Sequence, residues 1–173
     1  MTNSLLADAF EHHVWATLRV IDACLALTPE QLETSVPGTY GSILDTVRHL
    51  VGADSWYLFR TSGGRTTPME DEEEEARIGL AELRSVMEGH GEVWPAVLAD
   101  DPDPDTMIVS RRDDGSENLA PMGIRLAQAL HHGTDHRSQI ATALTSLGIE
   151  PPPIGVWDFG TDSGRITDAP AAS

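Results

Sequence analysis

Residues 130–140 read LHHGTDHRSQI, and they carry three of the chain's seven histidines inside a helical pattern. Apolar residues and histidines recur here every three or four positions, which is the spacing of one face of an α-helix. The members of this stripe are Ala129, His132, His136, Ile140, Ala143 and Leu147. The pattern predicts a long helix from about Pro121 to Leu147, which ends at Gly148 before the prolines at 151–153.

The same periodicity predicts three earlier long helices. The first covers residues 4–27, and the second covers residues 43–61 with Ser42 as its N-cap. The third begins in the acidic run at residues 70–75, and Pro95 predicts a kink or an early end for it.

A different pattern lies between the third and fourth predicted helices. The segment TMIVSRRDDGSENLAP has two short β-like runs on either side of an Asp-Gly turn, which predicts a hairpin within residues 100–120. The segment that follows the three prolines is expected to be irregular.

We therefore expect an all-α fold, a four-helix bundle with a short extended or hairpin insertion before the last long helix. Residues 1–160 are expected to form a single domain, with residues 161–173 as a C-terminal tail.

Composition excludes several classes of function. The chain has 173 residues and a formal charge of −17, with 28 acidic against 11 basic side chains. Nucleic acids and anionic membranes attract clustered basic residues, so neither is an expected partner. No apolar run approaches the length that spans a bilayer, about 20 residues. The single cysteine, Cys24, lies in an apolar helical stretch, which predicts a buried, unreactive thiol and a cytoplasmic location.

The spacing of the histidines defines one chelating pair. His132 and His136 are four residues apart and lie one above the other on a helix, whereas His131 and His136 diverge by about 140° around its axis. Two imidazoles on a core-facing stripe need polar partners, and a metal ion would satisfy both. Gly133 lies beside the pair and leaves room for a neighbouring helix or a ligand. Spacing alone leaves the other interpretation open, in which both are ordinary polar residues.

A zinc ion needs at least one more protein ligand. His49 borders the apolar stripe of the second helix. One member of the pair His12 and His13 could line the bundle interior, whereas His90, between two glycines, is expected to be exposed. Cys24 and the carboxylates also remain candidates, so these residues alone do not decide the third ligand.

Familiar catalytic motifs are missing from the sequence. The HGTDH segment has the spacing of the zinc-protease signature, but Gly133 stands where that motif needs a glutamate base. The sequence has no Glu-x-x-His pair, which argues against a di-iron carboxylate bundle. It also has no glycine-rich phosphate loop and no Gly-x-Ser-x-Gly nucleophile elbow.

Four segments together resemble the DinB family, within the DinB/YfiT-like superfamily of metalloproteins. They are HHVWATLRVIDACLALTPEQL, VPGTYGSILDTVRHLVGADSWYL, LHHGTDHRSQIATALTSLGIEPP and VWDFGTDSGRI. The resemblance implies a four-helix bundle with a divalent metal on His49, His132 and His136. This chain departs from the family at Ser138, where glycine is common, and at Asp54, where glutamate is common.

The resemblance also implies a chemistry. Three neutral imidazole ligands do not reduce the 2+ charge of a divalent ion, and they leave at least one coordination position open. An open position of this kind is typical of catalytic metal sites. Zinc is the expected ion, and nickel, iron, cobalt and manganese also accept imidazole. We expect a transferase or hydrolase that acts on a small molecule, with a thiol such as mycothiol or bacillithiol as co-substrate. The alternative is a non-enzymatic, stress-related metal-binding dimer with a structural ion.

Supporting residues are predicted from their positions near the three histidines. Asp45, one turn before His49, and Asp135, beside His136, are expected to orient the imidazole rings, although Asp45 also fits a surface acid. Asp54 and Trp56 are expected to line a pocket. The family resemblance implies that the protein forms a homodimer. The sequence does not identify a general acid or base.

Overall fold

A computed structural model describes residues 6–68, 77–111 and 114–167. The chain is mostly helical over these ranges, with one small antiparallel sheet. In chain order the elements are α1 (Ala7–Cys24), α2 (Pro29–Leu32), α3 (Ile43–Thr61), α4 (Leu80–Ala99), β1 (Met107–Arg111), β2 (Glu117–Pro121), α5 (Met122–Ser146) and α6 (Val156–Asp162). The acidic run at 70–75 lies outside the described residues, but the prediction that the third long helix begins there is wrong, because α4 begins at Leu80 after Gly79, whose backbone is extended.

Capping side chains fix the beginnings of two helices. Ser42 Oγ accepts a hydrogen bond from Asp45 N at 3.1 Å, and Asp45 Oδ2 accepts one from Ser42 N at 3.3 Å. This reciprocal pair is a capping box, and it starts α3 at the predicted residue. Thr28 and Gln31 form the same arrangement at α2, a single helical turn that was not expected from the sequence.

Pro95 does not end the third long helix. α4 continues to Ala99, although a proline in a helix interior removes a backbone hydrogen bond. Trp94, Val97 and Leu98 are buried around this position, and their packing holds the last turn in place.

The predicted hairpin is present, and it leads directly into the last long helix. β1 and β2 pair antiparallel, with Val109 opposite Leu119. α5 begins at Met122, immediately after β2, and it ends before Gly148, whose φ of +72° suits a residue without a side chain.

The four long helices pack so that α3 and α5 are neighbours. Each of α1 and α3 contacts both α4 and α5. One apolar cluster includes Ile21, Val47, Leu83 and Leu144, and a second includes Phe10, Leu58, Trp94 and Leu126. Cys24 is buried in the first cluster, and this burial raises the pKa of its thiol to about 12.

The segment after the three prolines is not irregular as expected, because it forms the short helix α6. The Asp158 carboxylate accepts a hydrogen bond from Gly155 N at 3.0 Å at the start of this helix. Phe159 then packs its ring against Trp15 and His12 of α1. In the described part of the chain, no helix has the length and apolar character needed to cross a membrane.

Candidate metal centre

Three imidazoles meet between α3 and α5. His49 lies in the first half of α3, and His132 and His136 lie one turn apart on α5. One ring nitrogen from each of the three lies within 4.8 Å of the other two. The Nε2 atoms of His49 and His132 are 3.1 Å apart.

This spacing fits shared coordination of one ion. Zinc–imidazole bonds of about 2.0–2.1 Å place two tetrahedral ligand nitrogens about 3.3 Å apart. The Nε2 atoms of His49 and His132 are separated by 3.1 Å, close to that value. The donor set of three imidazoles also suits a divalent ion of the zinc, nickel or cobalt type.

The environment favours neutral imidazoles, the form that binds metals. Burial, together with the neighbouring His136 and His49, lowers the pKa of His132 to about 4. Burial and then His136 also lower the pKa of His49. At pH 7 both rings therefore hold lone pairs rather than a second proton.

Gln139 orients the ring of His136, a role that was not expected from the sequence. Its Oε1 accepts a hydrogen bond from Tyr40 N at 2.8 Å and lies 3.1 Å from His136 Nδ1. Because an amide oxygen only accepts, His136 Nδ1 carries the proton and Nε2 keeps the lone pair. The position of Gln139, three residues after His136 on the same helix, was the available signal.

Both tyrosines of the chain lie against the histidine cluster. The ring of Tyr40 stacks on His49 with a centroid distance of 3.9 Å and an interplanar angle of 9°. Tyr57 meets His132 edge-to-face at 5.6 Å. Tyr40 lies in the loop before α3, so no helical periodicity pointed to it.

Three of the predicted supporting residues take other positions. Asp45 is exposed and caps α3, with its other oxygen 3.9 Å from Arg48. Asp135 is exposed on α5. Trp56 is 39% exposed and contacts Phe59 rather than a histidine of the cluster.

Asp54, predicted to line a pocket, is instead the centre of a buried polar network. Its carboxylate lies 2.9 Å from His13 Nε2, 2.7 Å from His90 Nδ1 and 3.3 Å from Trp94 Nε1. The expectation that His90 is exposed is wrong, because this side chain is buried between α3 and α4. The position of His90 between two glycines did not indicate that this ring would face the buried carboxylate of Asp54.

The space beside Gly133 is filled by His13. A Cβ at Gly133 would lie 2.4 Å from His13 Cε1 and 2.8 Å from Arg137 Nη1. The missing side chain thus admits a ring from α1, and it does not create room for a ligand. His13 is accordingly the member of the His12 and His13 pair that faces the interior, whereas His12 bonds to Ile154 O at 2.8 Å.

Comparisons with known proteins agree with this architecture. The family model described as DinB family matches residues 1–162. A crystal structure of a DinB-like protein from Bacillus cereus superposes with a TM-score of 0.61 at 16% identity, covering 88% of this chain and 99% of that one. This likeness shows the fold. No curated protein matches the sequence.

Proposed function

The chain belongs to the DinB family, and we propose that it is a metal-dependent enzyme whose ion is held by His49, His132 and His136. The observation that carries the proposal is the convergence of one ring nitrogen from each histidine within 4.8 Å. Three protein ligands are fewer than the four of a structural zinc site, which supports an open position for a reactant.

The protein's own residues prepare this centre. The lowered pKa values of His49 and His132 keep their rings neutral, and Gln139 holds His136 with Nε2 available. Tyr40 stacks on His49 and Tyr57 meets His132 edge-to-face, so these contacts orient two of the three rings. A divalent ion bound there supplies a Lewis acid that can lower the pKa of a water or thiol.

We propose a small-molecule substrate and a transferase or hydrolase reaction, with a low-molecular-weight thiol as co-substrate. Mycothiol and bacillithiol are the first thiols to test, because the family resemblance implies a thiol co-substrate of this kind. A positively charged centre favours the thiolate form of such a co-substrate.

Turnover by the metal-loaded protein tests the proposal directly. We expect activity with a thiol and an electrophile panel, and its loss in His49→Ala, His132→Ala and His136→Ala. His131→Ala is the matched control, because His131 is an exposed histidine next to His132. Activity that survives all three substitutions would eliminate this proposal.

Chelation distinguishes a catalytic ion from a structural one. With a catalytic ion, we expect chelation to abolish turnover while the helical circular dichroism and most of the thermal stability remain. A collapse of the fold on chelation, without turnover before it, would favour a non-enzymatic metal-binding bundle.

We also propose that residues 1–160 form one four-helix-bundle domain that pairs as a homodimer. The contacts of α1 and α3 with both α4 and α5 support the bundle. Light scattering over a range of concentrations tests the dimer, and a monomeric mass at every concentration would contradict it.

A further inference from the structure

We infer that Asp54, His13 and Arg137 form a buried relay that positions α5, and with it two of the three histidines, relative to His49. The inference rests on the proposed function, because it concerns how the metal centre is held. Asp54 lies on α3 five residues after His49, and Arg137 follows His136 directly on α5.

Asp54 joins three helices through donated hydrogen bonds. His13 comes from α1, whereas His90 and Trp94 come from α4, and each directs a ring nitrogen at the Asp54 carboxylate. Asp54 is 2% exposed and His13 is 1% exposed. A carboxylate buried this deeply is stable only when its partners satisfy it, so the bonds fix the relative positions of these helices.

His13 carries the connection on to α5. Arg137 Nη1 lies 3.1 Å from His13 Nδ1, and a guanidinium can only donate. Nδ1 of His13 must therefore accept, which places the single ring proton on Nε2, directed at Asp54. His13 is thus a neutral imidazole of one defined tautomer, and it links a buried cation to a buried anion.

The charges of the relay balance across the interior. Arg137 is 3% exposed, and its Nη1 also donates to Thr17 Oγ1 at 3.0 Å. Among the described residues, its hydrogen-bond partners are hydroxyls, a carbonyl and His13. Asp54 is therefore the anion that compensates Arg137, and its removal leaves an unbalanced buried cation beside His136.

Gly133 couples the relay to the ligand-bearing turn of α5. The ring of His13 occupies the volume that a side chain at Gly133 would fill, so it packs against the backbone next to His132. A shift of His13 therefore acts on the same helical turn that carries His132 and His136.

Two other functions of this cluster are excluded by its geometry. Ser55, His90 and Asp54 follow the order of a hydrolase triad, with Ser55 Oγ 3.1 Å from His90 Nε2. Ser55 is only 2% exposed and its hydroxyl lies 3.1 Å from Val51 O, so no substrate reaches it. A second metal ion does not fit either, because ring N–H groups already occupy the carboxylate and Arg137 lies next to His13.

Zinc titration of the metal-free protein against a competing chelator, with cobalt(II) absorption spectra, tests the relay. We expect Asp54→Asn to weaken zinc binding about 10-fold, the lower end of the range for groups that contact metal ligands directly, and to change the cobalt spectrum. Thr17→Val removes one acceptor of Arg137 and is expected to weaken binding by a smaller factor.

Leu83→Ala is the control for general destabilisation. Leu83 is fully buried in the apolar cluster away from the relay, so this variant loses stability but is expected to keep the zinc affinity and cobalt spectrum. Wild-type zinc affinity in Asp54→Asn and Thr17→Val, or an equal loss in Leu83→Ala, would overturn the inference.

Nitrogen-15 NMR of the metal-free wild type tests the relay without any variant. The geometry requires the Nε2–H tautomer for His13, and the opposite tautomer or a doubly protonated ring at neutral pH would overturn the inference. Failure of the wild type to bind zinc would instead count against the proposed function.

Discussion

The Nε2 atoms of His49 and His132 face each other at 3.1 Å, although 83 positions separate the two residues in the chain. The approach is possible because α3 and α5 are neighbours that run in opposite directions. Tyr57, further along α3, meets Gln128, earlier on α5, through a contact of 3.4 Å. These two ring nitrogens of His49 and His132, together with one ring nitrogen of His136 within 4.8 Å of both, form the basis of the metal assignment.

Loss of any one of the three imidazoles is expected to reduce zinc affinity by at least 100-fold, about 2.7 kcal/mol, because two ligands rarely retain the ion. Isothermal titration of His49→Ala, His132→Ala and His136→Ala measures this loss. His131→Ala is expected to bind zinc like the wild type. Equal zinc affinity in any one of these three histidine variants and in His131→Ala would contradict the ligand assignment.

Gln139→Leu is expected to weaken zinc binding about 10–100-fold, because His136 Nδ1–H and Tyr40 N–H both lose their acceptor. Gln139→Glu keeps an acceptor oxygen, so its affinity should remain close to that of the wild type. The same titration compares the two variants. Unchanged binding in Gln139→Leu would show that Gln139 does not orient the ring.

Gly133→Ala is expected to destabilise the protein by about 1–3 kcal/mol, because the new methyl group overlaps His13 and Arg137. Gly89→Ala is the matched control on α4. A Cβ at Gly89 meets no atom within 4 Å, so alanine there should stabilise the helix by up to about 1 kcal/mol. Urea unfolding of both variants checks the difference in sign, and two stabilised variants would contradict the packing of His13.

The buried carboxylate predicts a loss of stability in acid. Burial alone raises the pKa of Asp54, but contact with His13 and then His90 outweighs it and holds this pKa well below its ordinary value of 3.8. Its neighbours are His13 from α1, His90 and Trp94 from α4, and, through His13, Arg137 from α5. A carboxyl whose pKa is lower in the folded state stabilises the fold above pH 3.8, and this contribution disappears as the pH falls further.

Urea unfolding of the metal-free protein between about pH 5 and pH 2 measures this contribution. The free energy of unfolding of the wild type is expected to fall across that range more steeply than that of Asp54→Asn. Identical slopes would show that Asp54 titrates at the same pH in both states.

The sequence was sufficient to predict that four long helices form, because their apolar stripes and caps are local features, but the start predicted for α4 was too early. Ser42 marks the start of α3, and the Asp-Gly turn marks the hairpin before α5. The family assignment was also predicted correctly from ordered segments that together span most of the chain. Spacing on α5 singled out His132 and His136, whereas His49 depended on the family resemblance.

The residues that surround the cluster were harder to predict because their roles depend on contacts between helices. His90 lies on a stretch with two glycines, and only the packing of α3 against α4 shows that Asp54 faces it. Asp45 was predicted to reach His49 from its helical spacing, but the cap at Ser42 uses its carboxylate. Tyr40 is a loop residue, and loops carry no periodic signal from which its stacking on His49 could be inferred.

The most direct test of the metal assignment is anomalous diffraction at the zinc edge, from crystals of protein purified without an affinity tag and loaded with zinc. We predict one anomalous peak per chain, bonded to ring nitrogens of His49, His132 and His136, with at least one position not filled by protein. A peak at other residues, a fourth protein ligand that closes the ion off, or no peak between α3 and α5 would contradict the catalytic metal centre.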